Sequence, residues 1–132
     1  MNAALKHAIE GSILQSVRVP DFKNTLLLLE FRKGSQVYCL SVEPEDVHSE
    51  AYLADGLEEL QSLVGSEIQS FDIEEGEYVV EDHGNMGWSF YKFQGTNDSV
   101  TLRFNSYADQ FYSVGVNMKC DKIKTDKLFE EE

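Results

Sequence analysis

The chain of 132 residues reads as a single α+β domain, mainly antiparallel sheet, built from two similar strand-hairpin halves joined by a short helical segment. Three observations carry that reading. "GSILQS" at residues 11–16 returns as "GSEIQS" at 65–70, hairpin signals follow each copy, and one stretch between them has helical spacing. A three-stranded unit leaves one face uncovered and is marginal alone, whereas two such units with a helix between them cover one another. The expected division is a half-repeat at 9–44, a helical connector at 45–63, a half-repeat at 64–117 and a charged tail at 118–132.

Taken in order, "MNAALKHA" is expected to form a short helical turn. The strand that follows alternates, with Leu14, Ser16 and Arg18 on one face and Ile13, Gln15, Val17 and Val19 on the other. Aligned without a gap, the second copy sets Phe71 and Ile73 on the face of Val17 and Val19. A glycine before each strand suits a turn of positive φ. "TLLLLEF" and "QVYCLSV" flank "RKGS", a hairpin with Gly34 in its turn. In "EDVHSEAYLADGLEELQSLV", Val47, Tyr52, Leu53, Leu57 and Leu60 recur near helical spacing, and Gly56 divides the segment. Residues 74–87, acidic and glycine-containing, read as a long loop or a loose strand. "WSFYKFQ" and "SVTLRF" flank "GTND" as the second hairpin, and "FYSVGVN" at 111–117 supplies the last strand. The tail "KCDKIKTDKLFEEE" reads as frayed, or docked only through Ile123, Leu128 and Phe129.

Charge narrows the partners. Against 24 acidic residues stand 11 basic ones, a formal net of −13, which repels nucleic acid and anionic membranes and favours basic partners. The longest apolar run, "LLLL" at 26–29, is far short of a membrane span. The opening residues hold no apolar run of signal length, so Cys39 and Cys120 are expected to be reduced thiols of a cytoplasmic protein. His7, His48 and His83 lack ligand spacing and do not group with the cysteines, so neither a metal nor a cofactor is expected. No Ser or Cys stands in a nucleophile motif, and no spacing selects two carboxylates as acid and base; an enzyme is not expected.

Three segments carry a resemblance: "LVGSEI" at 63–68, "TLRFNSYADQFYS" at 101–113 and "DVHSEAYL" at 46–53. They are similar to a small domain family of phage and prophage proteins. Its members open on "L-I-G-K-x-I-x-S-V", pass through a hairpin and "D-C-C-S-E-S-W-F" to a second "L-I-G-x-x-V", and close on "T-I-R-W-Y-G-x-S-N-G-Y-Y-S". The likeness covers about Ile9 to Val116 and departs at two places. Val47 and His48 replace the paired cysteines, and Ala108, Asp109 and Gln110 replace the "S-N-G" turn. In size, mixed α and β content and an Arg-aromatic closing strand, the chain also resembles the anti-Thoeris sponges. Those phage proteins sequester cyclic ADP-ribose signals without catalysis, as homo-oligomers with Arg- and aromatic-lined pockets. The resemblance implies a phage-type anti-defence protein in the bacterial host cytoplasm that binds a small signalling nucleotide.

The ligand-binding residues expected on that view are Arg103, Phe71, Asn105, Tyr107, Asp109 and Phe111. Arg103 is one of three arginines, with Arg18 and Arg32, and its planar fork matches phosphate. Alternation sets Thr101, Arg103 and Asn105 on one strand face, with Leu102 and Phe104 on the other. Phe71, Tyr107 and Phe111 offer rings for an adenine to stack on. The plainer readings are a cross-strand ion pair for Arg103 and core packing for the aromatics. Because a net of −13 disfavours an anionic ligand at range, the pocket is expected where subunits of a homo-oligomer bring cations together, within a Debye length of about 8 Å. The competing reading is an acidic inhibitor or immunity protein that blocks a basic nuclease or other defence enzyme by direct binding.

Overall fold

Period-two alternation decides most of this architecture. The computed structural model describes residues 3–21, 24–46, 48–81, 84–109 and 112–125. Its elements run α1 (Ala3–Ile9), β1 (Ile13–Arg18), β2 (Leu27–Lys33), β3 (Gln36–Pro44), β4 (Glu50–Asp55), α2 (Leu57–Gln61), β5 (Ser70–Glu81), β6 (Gly84–Gln94), β7 (Ser99–Ala108) and β8 (Val116–Thr125). The fold is therefore mostly antiparallel sheet with two short helices, a broadly α+β arrangement. The strands form two four-stranded sheets, in the orders β1-β2-β3-β8 and β4-β7-β6-β5. Each sheet is a three-stranded meander completed by a strand from elsewhere in the chain: β8 pairs with β3, and β4 pairs with β7.

The inner faces of the two sheets share one apolar core. Leu14, Leu29, Phe31 and Leu40 come from the first sheet, and Phe71, Tyr91, Phe93, Leu102 and Phe104 from the second. Phe31 stacks near-parallel to Phe93 with ring centroids 6.4 Å apart, and Phe71 leans on Phe93 at 4.9 Å. Each such side chain contributes about 1.5–3 kcal/mol by leaving water. Leu5, Ala8 and Ile9 of α1 and Leu60 of α2 join the same core.

The repeated hexapeptides meet each other. The Gly11 N–H donates to the Ile68 carbonyl at 2.7 Å, and the Gly65 N–H donates to the Leu14 carbonyl at 2.7 Å. Leu14 N–H donates to Ser66 O at 3.1 Å, and Ile68 N–H to Ser12 O at 2.8 Å. Gly11 and Gly65 turn the chain with φ of 84° and 93°, a region that other residues enter only with strain.

The structure corrects several sequence expectations. Along β1 the register steps from Leu14 opposite Phe31 to Ser16 opposite Glu30, so Gln15 is bulged out. The alternation is thereby reset: Leu14 is fully buried, Val17 packs against the same core, and Ile13 is exposed. The connector at 45–63 is not helical throughout, because Glu50–Asp55 is a strand that gains a hydrogen-bonded neighbour in β7, and the helix is confined to Leu57–Gln61. Val47 lies outside the described residues. Of the two readings of residues 74–87, the strand holds and the loop does not: apart from residues 82–83, outside the described set, they are the arms of the β5–β6 hairpin. A register shift between Glu75 and Tyr78 absorbs Gly76 and Glu77.

The last strand begins at Val116, not at residue 111, and continues through much of the segment expected to fray. Its pairing runs from Pro44 opposite Val116 to Gln36 opposite Thr125, with Val116 and Met118 buried in the core. Ladder bonds and those two side chains outweigh the charge of the surrounding lysines. Leu128 and Phe129 lie outside the described residues.

Candidate functional site

Pairing register lays out the outer face of the second sheet as rows of side chains. Glu50, Tyr107, Met86 and Val79 lie in one row, and Tyr52, Asn105 and Trp88 in the next. Asp55, Arg103, Phe90 and Glu74 form a third row, and Thr101, Lys92 and Asp72 a fourth. Tyr52 and Tyr107 are 49% and 44% exposed, Met86 is exposed, and Trp88 and Phe90 are half-buried. Two tyrosines, a tryptophan, a phenylalanine and a methionine thus share one face, on which the β5 bulge at Gly76 packs against Trp88 and Phe90. The outer face of the first sheet differs in kind. There the Ser16 hydroxyl donates to Glu30 at 2.8 Å, and Lys119 pairs with Glu43 at 2.9 Å.

Polar groups tie the aromatic face together. The Asn105 Nδ2 donates to the Tyr52 hydroxyl at 3.0 Å, while Asn105 Oδ1 is buried without a hydrogen-bond partner among the described residues. Glu50, opposite Tyr107 in the register, raises the phenol above its ordinary range, first through hydrogen bonding and then through its charge. Lys92 pairs with Glu74, and Lys6 reaches Asp72 at 3.2 Å. Arg103 stands opposite Asp55 in the register, is exposed, and makes no ion pair among the described residues.

A cleft of about 490 Å³ opens at one end of this face, where the start of β4, the start of β6 and the end of β7 converge. Its walls include His48, Glu50, Asn85, Met86, Tyr107 and Asp109. The His48 ring packs 4.5 Å from that of Tyr112, whose carbonyl accepts a bond from Asn85 Nδ2 at 3.5 Å. A neighbouring cleft shares His48, Glu50 and Tyr107 and adds Tyr52, and a third, of about 600 Å³, lies along β4 beside Tyr52 and Leu57. Arg103 borders none of the three.

Of the residues expected to bind a ligand, Arg103, Asn105 and Tyr107 lie in line on the outer face of β7, and Asp109 joins Tyr107 in the cleft wall. Phe71 does not join them. It is fully buried on the opposite side of the sheet, 6.0 Å from Tyr91 and 4.9 Å from Phe93, and has no surface on which a ring could stack. Phe111 lies outside the described residues. Sequence reasoning did not place Tyr52, Met86, His48 or Glu50 at the site. A signal for the face was present in "GNMGWSFYKFQ", where Met86, Trp88 and Phe90 occupy one parity and Tyr91 and Phe93 the other. A strand that is apolar on both faces of an edge-limited sheet has one face left over.

Among the described residues, no group of three or more His, Cys, Asp and Glu side chains is placed to hold a metal ion, and no helix is long and apolar enough to cross a membrane. Compared with protein-family models, curated proteins and solved structures, the chain matches none.

Proposed function

We propose that this protein is a non-catalytic binding module that takes a basic protein partner on the outer face of its second sheet. The observation that carries the reading is the aromatic patch of exposed Tyr52, Met86 and Tyr107 with half-buried Trp88 and Phe90, on a molecule of net charge −13. Contiguous aromatic surface marks interaction sites, and aromatic anchors dominate binding energy at interface centres. Of the carboxylates around these rings, Glu74 and Asp72 pair with Lys92 and Lys6, and Asp55 faces Arg103. Glu50, at the cleft end with Asp109, leaves that end of the rim negative where a partner would be positive. An inhibitor or immunity protein that covers a basic nuclease or other defence enzyme has this chemistry.

Sequestration of a nucleotide signal by a homo-oligomer is the second reading, favoured by Tyr107 in a cleft wall. His48 is the one basic side chain among the described lining residues of that cleft, against the carboxylates of Glu50 and Asp109. A phosphate there would depend on cations from a second subunit, so the protein-partner reading stands first. On either reading, we regard the two meanders as like halves whose hexapeptides join them and whose fourth strands are exchanged.

Affinity capture with identification of the retained proteins tests the proposal on three forms of the chain. These are wild type, a Tyr52→Ala/Trp88→Ala double variant, and Glu43→Gln on the other sheet. A basic protein should be retained by wild type and Glu43→Gln, be released as salt shortens the Debye length, and be lost by the double variant. Retention indifferent to the double variant overturns the proposal. A self-dimer that the double variant splits assigns the face to a second copy of the chain instead.

A further inference from the structure

The cleft at the end of the aromatic face has a chemistry more specific than the face itself. Building on the protein-partner reading, we infer that this cleft receives a guanidinium group, the side chain of an arginine presented by the partner. A guanidinium has two requirements that seldom coincide: carboxylates for its fork of N–H donors, and apolar or aromatic surface for its weakly hydrated plane. The cleft supplies both. Glu50 comes from the start of β4 and Asp109 from just beyond β7, so the two carboxylates approach from different elements. Tyr107 and Met86, opposite each other in the β6–β7 register, provide the ring and thioether between them.

The Glu50 carboxylate stands opposite Tyr107 in the β4–β7 register and lines the same cleft. A carboxylate has about four acceptor positions on two oxygens, so one phenol bond leaves room for an arginine fork. The geometry disfavours the alternatives. An anion would meet Glu50 and Asp109, and the described groups lack the three-ligand arrangement of a metal site. A volume of about 490 Å³ accommodates a long side chain entering from the open end.

Titration of isotope-labelled protein with N-acetylarginine amide, followed by NMR, tests the inference; the neutral isostere N-acetylcitrulline amide is the control. The arginine probe should shift the amides of Gly84, Met86, Tyr107 and Asp109 saturably, with the citrulline probe at least tenfold weaker. Glu50→Gln/Asp109→Asn should bring arginine down to the citrulline level while the spectrum stays dispersed. Tyr107→Phe, which keeps the ring, should bind within threefold of wild type, whereas Tyr107→Ala should lose fivefold or more. Equal responses to the two probes, or shifts centred outside the cleft, overturn the inference. The probe reads the cleft alone, and capture by the Tyr52/Trp88 variants reads the face alone, so either proposal can fail without the other.

Discussion

Leu14 and Ile68 occupy reciprocal places in the molecule: the Leu14 carbonyl accepts from Gly65 N–H, and the Ile68 carbonyl accepts from Gly11 N–H, both at 2.7 Å. Both side chains are fully buried in the core between the sheets. Truncation at either place removes transfer energy and leaves a cavity, about 2–5 kcal/mol for Leu or Ile to Ala. Leu14→Ala and Ile68→Ala should therefore show comparable losses in urea unfolding. Together they remove much of the roughly 5–15 kcal/mol typical of a domain, and the double variant should be largely unfolded.

Strand exchange makes a second expectation. β4 leaves the first meander to pair with β7, and β8 leaves the second to pair with β3. Fragments 1–56 and 57–132 each lack the sheet neighbour that their fourth strand needs. Neither should fold cooperatively alone, because an isolated meander leaves an apolar face in water. Mixing should restore the circular dichroism and dispersed NMR spectrum of the intact chain. Independent folding of either fragment would count against an interlocked pair.

The strand residues with clean alternation were legible in the sequence. Leu102 and Phe104 face inward and Thr101 and Arg103 outward, as period two requires, because β7 has neighbours on both sides and no bulge in its pairing with β6. Alternation failed where one residue was inserted: the bulge at Gln15 turned Val17 toward the core. Tyr52 and Leu53 looked helical since spacing in a short apolar run does not separate helix from strand, and only pairing with β7 decides it. The site was half legible for a similar reason. Arg103, Asn105 and Tyr107 follow from one strand's parity, but Glu50 and Met86 reach Tyr107 through registers that no local pattern specifies.

Tyr91 gives the protein an alkaline weakness. Its hydroxyl donates to the Val116 carbonyl at 3.3 Å inside the core, and burial, then the charges of Glu75 and Glu45, push its phenol well above the ordinary 10.0. In the unfolded chain the phenol ionises near its ordinary value, while the folded chain holds its proton. The unfolded state then binds fewer protons, so stability falls as pH rises beyond about 10. Tyr91→Phe should lose about 0.5–1.5 kcal/mol at neutral pH with the hydrogen bond, yet decline less steeply from about pH 10 to 11. Urea midpoints measured across that range check both the offset and the slope.

Arg103 separates the two functional readings because they assign its charge opposite effects. The residue is exposed, stands opposite Asp55 and borders none of the three clefts, so Arg103→Ala should change stability by no more than about 0.5 kcal/mol. On an acidic face that meets a basic partner, Arg103 is a local repulsion. Removing it should raise the association rate about two- to fivefold at low salt and steepen its salt dependence. In a nucleotide sink assembled between subunits, the same arginine is the cation brought to the phosphate across the interface, and removing it should abolish the heat of binding to a cyclic nucleotide. Stopped-flow association and calorimetry on one variant thus give opposite signs. Faster partner association supports the face described above, slower association overturns it, and a variant that unfolds makes Arg103 a structural residue.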